Sequence, residues 1–279
     1  MAMRSNLIET IFTWVLALAF IPLVNGQEEH FVKLWEATIP GIDKISTDGK
    51  GNIFITDKQG YLFQFNAKGE PLNQLATSLS APVTYLDAFK TVNIFLFSAS
   101  LQRFKILDRF LNPIVDKSID EIGVLGWVSQ ACLGNNNSLW VYDETDLRLK
   151  KINLNNNALL QAQAINTIIQ KNDLEIILLM ERYNLLFLQA AEVGIYIFDN
   201  QANFLEKIPI STSYKSVIEG DFIYTILQDQ LVKTNYLTKV SKSITLSMAK
   251  PLDRLALSYL HIILANEKGV AIFERPDDF

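Results

Sequence analysis

IDKISTDGKGNIFITDKQGYLFQFNAKGEPLNQ, residues 42–74, holds four short strand-like runs separated by three polar turns that carry glycine. The turns are Asp48-Gly49-Lys50-Gly51-Asn52, Lys58-Gln59-Gly60 and Ala67-Lys68-Gly69. Glycine tolerates the positive φ of a tight hairpin, and Asp or Asn can hydrogen-bond the backbone just ahead of it. Between the turns lie NIFITD (52–57) and YLFQFN (61–66), rich in the β-branched and aromatic residues that favour strands. Tyr61, Phe63 and Phe65 alternate with Leu62 and Gln64, the period of two of a pleated strand. The unit reads as a four-stranded antiparallel meander.

Weaker copies run to the end of the chain. NIFLFSA (93–99) precedes RFKILD (103–108), SLWVYD (138–143) precedes RLKKINL (148–154), and NLLFLQA (184–190) precedes GIYIFD (194–199). FIYTILQ (222–228) with LVKTN (231–235) and HIILAN (261–266) with GVAIFE (269–274) complete the series. These hairpins recur about every 40 to 45 residues, and four strands per repeat at that period predict the blades of a β-propeller. No segment places apolar residues at helical spacing, which excludes a helical solenoid. The sequence thus predicts an all-β, six-bladed propeller with four-stranded antiparallel blades at 42–76, 82–119, 128–165, 174–210, 214–246 and 252–275. The last blade lacks a fourth strand, and a lone strand at 31–39 precedes the first, so the N-terminal strand is expected to join the last blade and close the ring. The connector 166–173 is expected to carry a helical turn.

A chain of 279 residues with 49% hydrophobic content has the material for a large core, and its low glycine and proline content argues against disorder. The net charge of −5 argues against a nucleic-acid partner, which requires a clustered basic surface. Residues 1–26 read as a secretory signal peptide. Arg4 marks a basic start, 11–24 (IFTWVLALAFIPLV) is an apolar run too short for a comfortable bilayer span, and Val24-Asn25-Gly26 precedes the expected cut before Gln27. The mature chain 27–279 is then expected to be one propeller domain, secreted, with no stable membrane span. Cys132 is the only cysteine, so no internal disulfide can form, and its apolar neighbours predict a buried structural thiol.

STDGKGNIFITDKQGYLFQFNAKGE resembles the blades of NHL-type and TolB-like six-bladed propellers, whose repeats carry a D-x-x-G-N core followed by alternating apolar residues. Here that core is Asp48, Gly51, Asn52, Ile53, Ile55 and Asp57. Elsewhere the Gly-Asn pair is eroded, to Asn136-Asn137-Ser138 and to Tyr183-Asn184-Leu185. The motif reports a fold and no activity. A leader followed by a single propeller also resembles uncharacterised envelope propellers of Bacteroidota, which implies an interaction module in the periplasm or at the outer membrane.

Enzymes on such rings place their chemistry at the central channel, and gluconolactonase-like members hold a divalent cation with Glu, Asn and Asp. The corresponding acids here are Asp43, Asp87, Glu175, Glu219 and Asp253, one on most innermost strands, and they also suit strand ends facing a wet channel. Nothing in the sequence selects a metal set among them. His30 and His261 are the only histidines, the first in the start of the mature chain and the second opening a strand, so histidine catalysis has no support. No nucleophile elbow, phosphate loop or CxxC pair occurs. Met180-Glu181-Arg182-Tyr183 reads as a charged turn between two apolar strands. Among the large side chains Trp140 is expected in the core, while Trp35, Trp127 and Phe110 are candidates for a surface. Asn136-Asn137-Ser138 is a formal glycosylation sequon.

No catalytic or cofactor-binding residue is assigned, and no cofactor is expected. The function expected from the sequence is a non-enzymatic protein-interaction module in a cell-envelope complex. The alternative is a metal-dependent hydrolase or lactonase with its site at the channel.

Overall fold

The structure is a computed structural model that describes residues 32–76, 81–171, 174–246, 252–276 and 279. The expected leader and His30 lie outside these residues. Six four-stranded antiparallel sheets account for the fold. Strand β1 (Lys33–Ala37) comes first. The first blade holds β2 (Ile42–Thr47), β3 (Ile53–Asp57), β4 (Leu62–Phe65) and β5 (Pro71–Leu75), and the second β6 (Tyr85–Asp87), β7 (Ile94–Ser98), β8 (Arg103–Leu107) and β9 (Pro113–Ser118). The third holds β10 (Val128–Leu133), β11 (Ser138–Asp143), β12 (Arg148–Asn153) and β13 (Leu159–Ala164). The fourth holds β14 (Ile176–Arg182), β15 (Leu185–Ala190), β16 (Gly194–Asp199) and β17 (Phe204–Ile208). The fifth holds β18 (Val217–Glu219), β19 (Phe222–Leu227), β20 (Gln230–Asn235) and β21 (Ser241–Thr245). The sixth holds β22 (Arg254–Leu257), β23 (His261–Asn266) and β24 (Gly269–Glu274), and β1 pairs with β24, Trp35 opposite Ile272 and Ala37 opposite Val270.

The core lies between blades. Ile53 and Ile55 pack toward Ile263 and Ile272 of the sixth blade, while Phe54 between them packs toward Leu86 and Leu96 of the second. Successive side chains of a strand point to opposite faces, and here both faces are covered. That explains why β11 reads SLWVYD without polar alternation: all six of its residues are buried, Trp140 completely. The fourth strands form the rim, and β5 is exposed along most of its length.

Recurrent turns hold the hairpins. Asp48, Asp108 and Asp199 each accept the backbone N–H groups two and four residues on at 2.8–2.9 Å. Their second oxygens accept the side-chain amides of Asn52, Asn112 and Asn203. The residue before each asparagine is left-handed: Gly51 at φ 80°, Leu111 at 68° and Ala202 at 66°. The Asp48–Asn52 pattern is therefore a capped turn, used at two further turns without its glycine. The eroded turns at Asn136-Asn137 and Tyr183-Asn184 keep the required backbone as well, each residue at positive φ.

One short helical element falls where none was expected. Residues Asp120–Ile122 form a 3-10 turn between β9 and β10, fastened where the Glu121 carboxylate accepts the backbone N–H and hydroxyl of Ser118. In the connector after β13, the Ile169 N–H donates to the Ile165 carbonyl at 2.8 Å, the single helical turn that was expected. No helix among the described residues is long and apolar enough to cross a membrane.

The central channel and its aromatic rim

The innermost strands β2, β6, β14, β18 and β22 enclose a cavity of about 400 Å³ that runs along the channel. Their starts meet at one mouth, where the Arg254 Nε donates to the Asp43 carbonyl at 2.6 Å and the Lys215 Nζ to the Thr84 carbonyl at 2.8 Å. Their ends meet at the other, where Arg182 reaches Asp87 at 2.7 Å. The innermost strand of the third blade is set back from this cavity, because Arg182 of the fourth blade pairs with Asp87 of the second across it.

Four of the five candidate acids, Asp43, Asp87, Glu219 and Asp253, line the cavity; Glu175 is exposed and does not. Asp43 owes its place to a bulge, since the pairing of β2 with β3 slips between Ile42 and Lys44. Such an extra residue re-aims its side chain. Each of the four carboxylates is tied to a cation: Asp43 to Lys44, Asp87 to Arg182, Glu219 to Arg275 and Asp253 to Arg254. Among the described residues no three His, Cys, Asp or Glu side chains stand close enough to share a metal ion.

The Met180–Tyr183 stretch is not a charged turn. Glu181 and Arg182 are the buried end of β14, and the turn itself is Tyr183-Asn184. Glu181 accepts the Trp140 indole N–H and the Asn135 backbone N–H, with the Lys151 ammonium 3.7 Å away. Arg182 lies 4.2 Å over the Phe89 ring, so an aromatic lid and an ion pair together hold its charge out of water. Burial opposes the Arg182 charge, but the charge and hydrogen bond of Asp87, with smaller help from Tyr85 and Cys132, together outweigh it and keep the guanidinium protonated. Burial, then the nearby Asp87 charge, pushes the Tyr85 phenol well above its ordinary range. Its hydroxyl and the Arg182 Nε are both buried, with no hydrogen-bond partner among the described residues.

Lys215 is the channel group that sequence reasoning missed. It precedes the three-residue strand β18, and its backbone is clamped by Gln189, which donates to the Tyr214 carbonyl and accepts from the Ser216 N–H, both at 2.9 Å. The ammonium lies 5.7 Å from the Tyr85 ring centre. As a residue Lys215 is partly exposed, because the channel is open, but its ammonium is ringed by protein. Burial, with the positive charge of Lys44 adding to it, lowers its pKa to about 7.

At the mouth where the innermost strands end, the loops to the second strands are linked by hydrogen bonds. Gly49 donates to Thr91, Lys90 to the Gly134 carbonyl, Asn135 to Asn184, and Gly220 to the Tyr183 hydroxyl. From these loops project Phe89, Val92, Tyr183, Tyr259 and Leu260, all exposed, with Tyr259 at 88%. Phe89 and Tyr183 meet edge to face at 6.4 Å.

No family model and no curated protein sequence matches this chain. Solved structures do. The chain is similar to a streptogramin B lyase, with a TM-score of 0.62 and 10% identity over 86% of this chain and 97% of that one. It is similar to the WD40 domain of Neurospora crassa Pan2 (0.59, 8% identity, 90% and 97% covered) and to BamB from Moraxella catarrhalis (0.51, 12% identity, 85% and 86% covered). The likeness is one of fold alone. A lyase and a WD40 domain of similar fold leave function to be argued from the side chains of this chain.

Trp140 is core, and Cys132 is completely buried, with burial raising its thiol far above the ordinary range. Trp127 and Phe110 are exposed, the latter under Arg109 at 4.6 Å. Trp35 is half-buried on β1, against Gly69. His261 is half-buried at the start of β23 and its backbone N–H donates to Ser258.

Proposed function

We propose that this chain is a secreted, non-enzymatic propeller that acts as a protein-interaction module in a cell-envelope complex. The observation that carries the reading is the exposed aromatic rim, Phe89, Tyr183 and Tyr259 with Val92 and Leu260, at one mouth of the channel. Aromatic side chains clustered on cross-linked loops supply buried contact area at little entropic cost, as interface hot spots do. A protein segment that lays apolar side chains across this mouth is the partner that fits. The reading of residues 1–26 as a cleaved leader supports a partner outside the cytoplasm. The metal-dependent alternative finds the four of its five acids that line the channel each tied to a cation, and the fifth, Glu175, outside the cavity.

The experiment is a quantitative pull-down from native envelope extract with the wild-type chain and a Phe89→Ser/Tyr259→Ser variant. A stoichiometric protein held by the wild type and lost by the folded variant is expected. A partner held equally by both, or none held by the wild type, overturns the reading.

A further inference from the structure

Lys215 stands apart from every other cation of the channel. Lys44 is neutralised by Asp43 at 2.5 Å, Arg182 by Asp87, and Arg254 by Asp253. Lys215 has no carboxylate at ion-pair distance among the described residues; its hydrogen bond goes to the Thr84 carbonyl, and Tyr85 presents a ring face to it. The cation nearest in influence is Lys44, from β2, which repels its charge, and Asp43 offsets that only in part. Tyr85 and the Arg182–Asp87 pair contribute no net charge at neutral pH. Leu178, Met180 and Leu255 give the same cavity apolar walls. An amine that is desolvated beside a second cation, in a cavity open to small molecules, is in the condition that makes a lysine nucleophilic.

We infer that Lys215 is a covalent binding site for small aldehydes or ketones, which enter the channel and are held as an imine. The Nζ lone pair attacks the carbonyl carbon as the C=O π bond breaks onto oxygen, and one Nζ proton passes to that oxygen to give a carbinolamine. The C–O bond then breaks as the C=N bond forms, and the hydroxyl leaves with the second Nζ proton as water, with no change of oxidation state. Water in the open channel reverses the step. A volume of about 400 Å³ is at the small end of ligand pockets and suits a compact carbonyl compound. Lys215 lies at the mouth opposite the aromatic rim, while Phe89 and Tyr259 of that rim line the far end of the same cavity.

The test uses the full chain with limiting propionaldehyde and cyanoborohydride, which fixes imines as propyl-lysine, read by peptide mass spectrometry. At about pH 7.5 an ordinary lysine is almost wholly protonated, so Lys215 is expected to be alkylated at least about tenfold faster than exposed Lys33 and Lys68. Its rate should level off above about pH 7 while those of the surface lysines keep rising, and Lys44→Met should move that plateau to higher pH. Denaturing the chain should abolish the difference. Equal rates at Lys215 and the surface lysines, or parallel pH profiles, overturn the inference.

Discussion

Ala202 occupies left-handed backbone at φ 66° with no glycine to ease it, so the turn must be held by its cap. That cap is Asp199. Burial works against its charge, but hydrogen bonds from the Asn203 side chain and the turn backbone outweigh it and hold its pKa below the ordinary value. Asp199→Ala should lose about 1 kcal/mol of stability in urea unfolding, the scale of a side-chain cap. A depressed folded pKa gives stability that is present above about pH 4, the unfolded value, and is lost as pH falls through the folded one. Unfolding midpoints should therefore drop between about pH 5 and pH 3, and drop less in Asp199→Asn. Lys215 works in the opposite window. Its folded pKa of about 7 lies below the unfolded value near 10.4, so the unfolded chain binds more protons between the two and stability rises with pH there. Lys215→Met should raise the midpoint at about pH 6 and flatten that rise, which urea titrations across the window would read.

At the scale of elements, the central hairpins were legible because second and third strands, covered on both faces, are runs of Ile, Leu, Phe and Val between turn residues, as at residues 94–98 and 195–198. The innermost strands were far less so. Tyr85–Asp87 and Val217–Glu219 are three residues each, and their chemistry depends on partners that the chain delivers from distant blades. Asp87 and Arg182 are 95 residues apart in sequence, so the usual rule that charges face water read Arg182 as a turn. Strand β1 makes a further prediction. A Cβ on Gly269 would lie 2.6 Å from the Ala37 carbonyl oxygen, a backbone atom unable to yield. Gly269→Ala should cost about 1–3 kcal/mol by prising β1 from β24. Deleting residues 27–37 should leave β24 as an unpaired edge and produce oligomers in size-exclusion chromatography.

At the scale of the molecule, the Asp87–Arg182 pair joins the second blade to the fourth, and Phe89 roofs it on the rim face. Removing one partner strands a buried charge, so Arg182→Ala should cost about 3–5 kcal/mol in chemical unfolding, and Asp87→Leu/Arg182→Met should cost less than the two single changes combined. The aromatic mouth thus stands on an electrostatic bridge between blades, and loss of partner binding in an Arg182 variant would report on the platform, which circular dichroism of the variant separates from contact itself. Cys132 lies beside this bridge, the single thiol of the chain, sealed in the core. Buried as it is, it should stay silent toward maleimides in the folded state, so that any cysteine placed on the surface becomes a unique attachment point. A fluorophore on Tyr259→Cys would then watch the channel mouth alone, in a chain that needs no prior removal of native thiols.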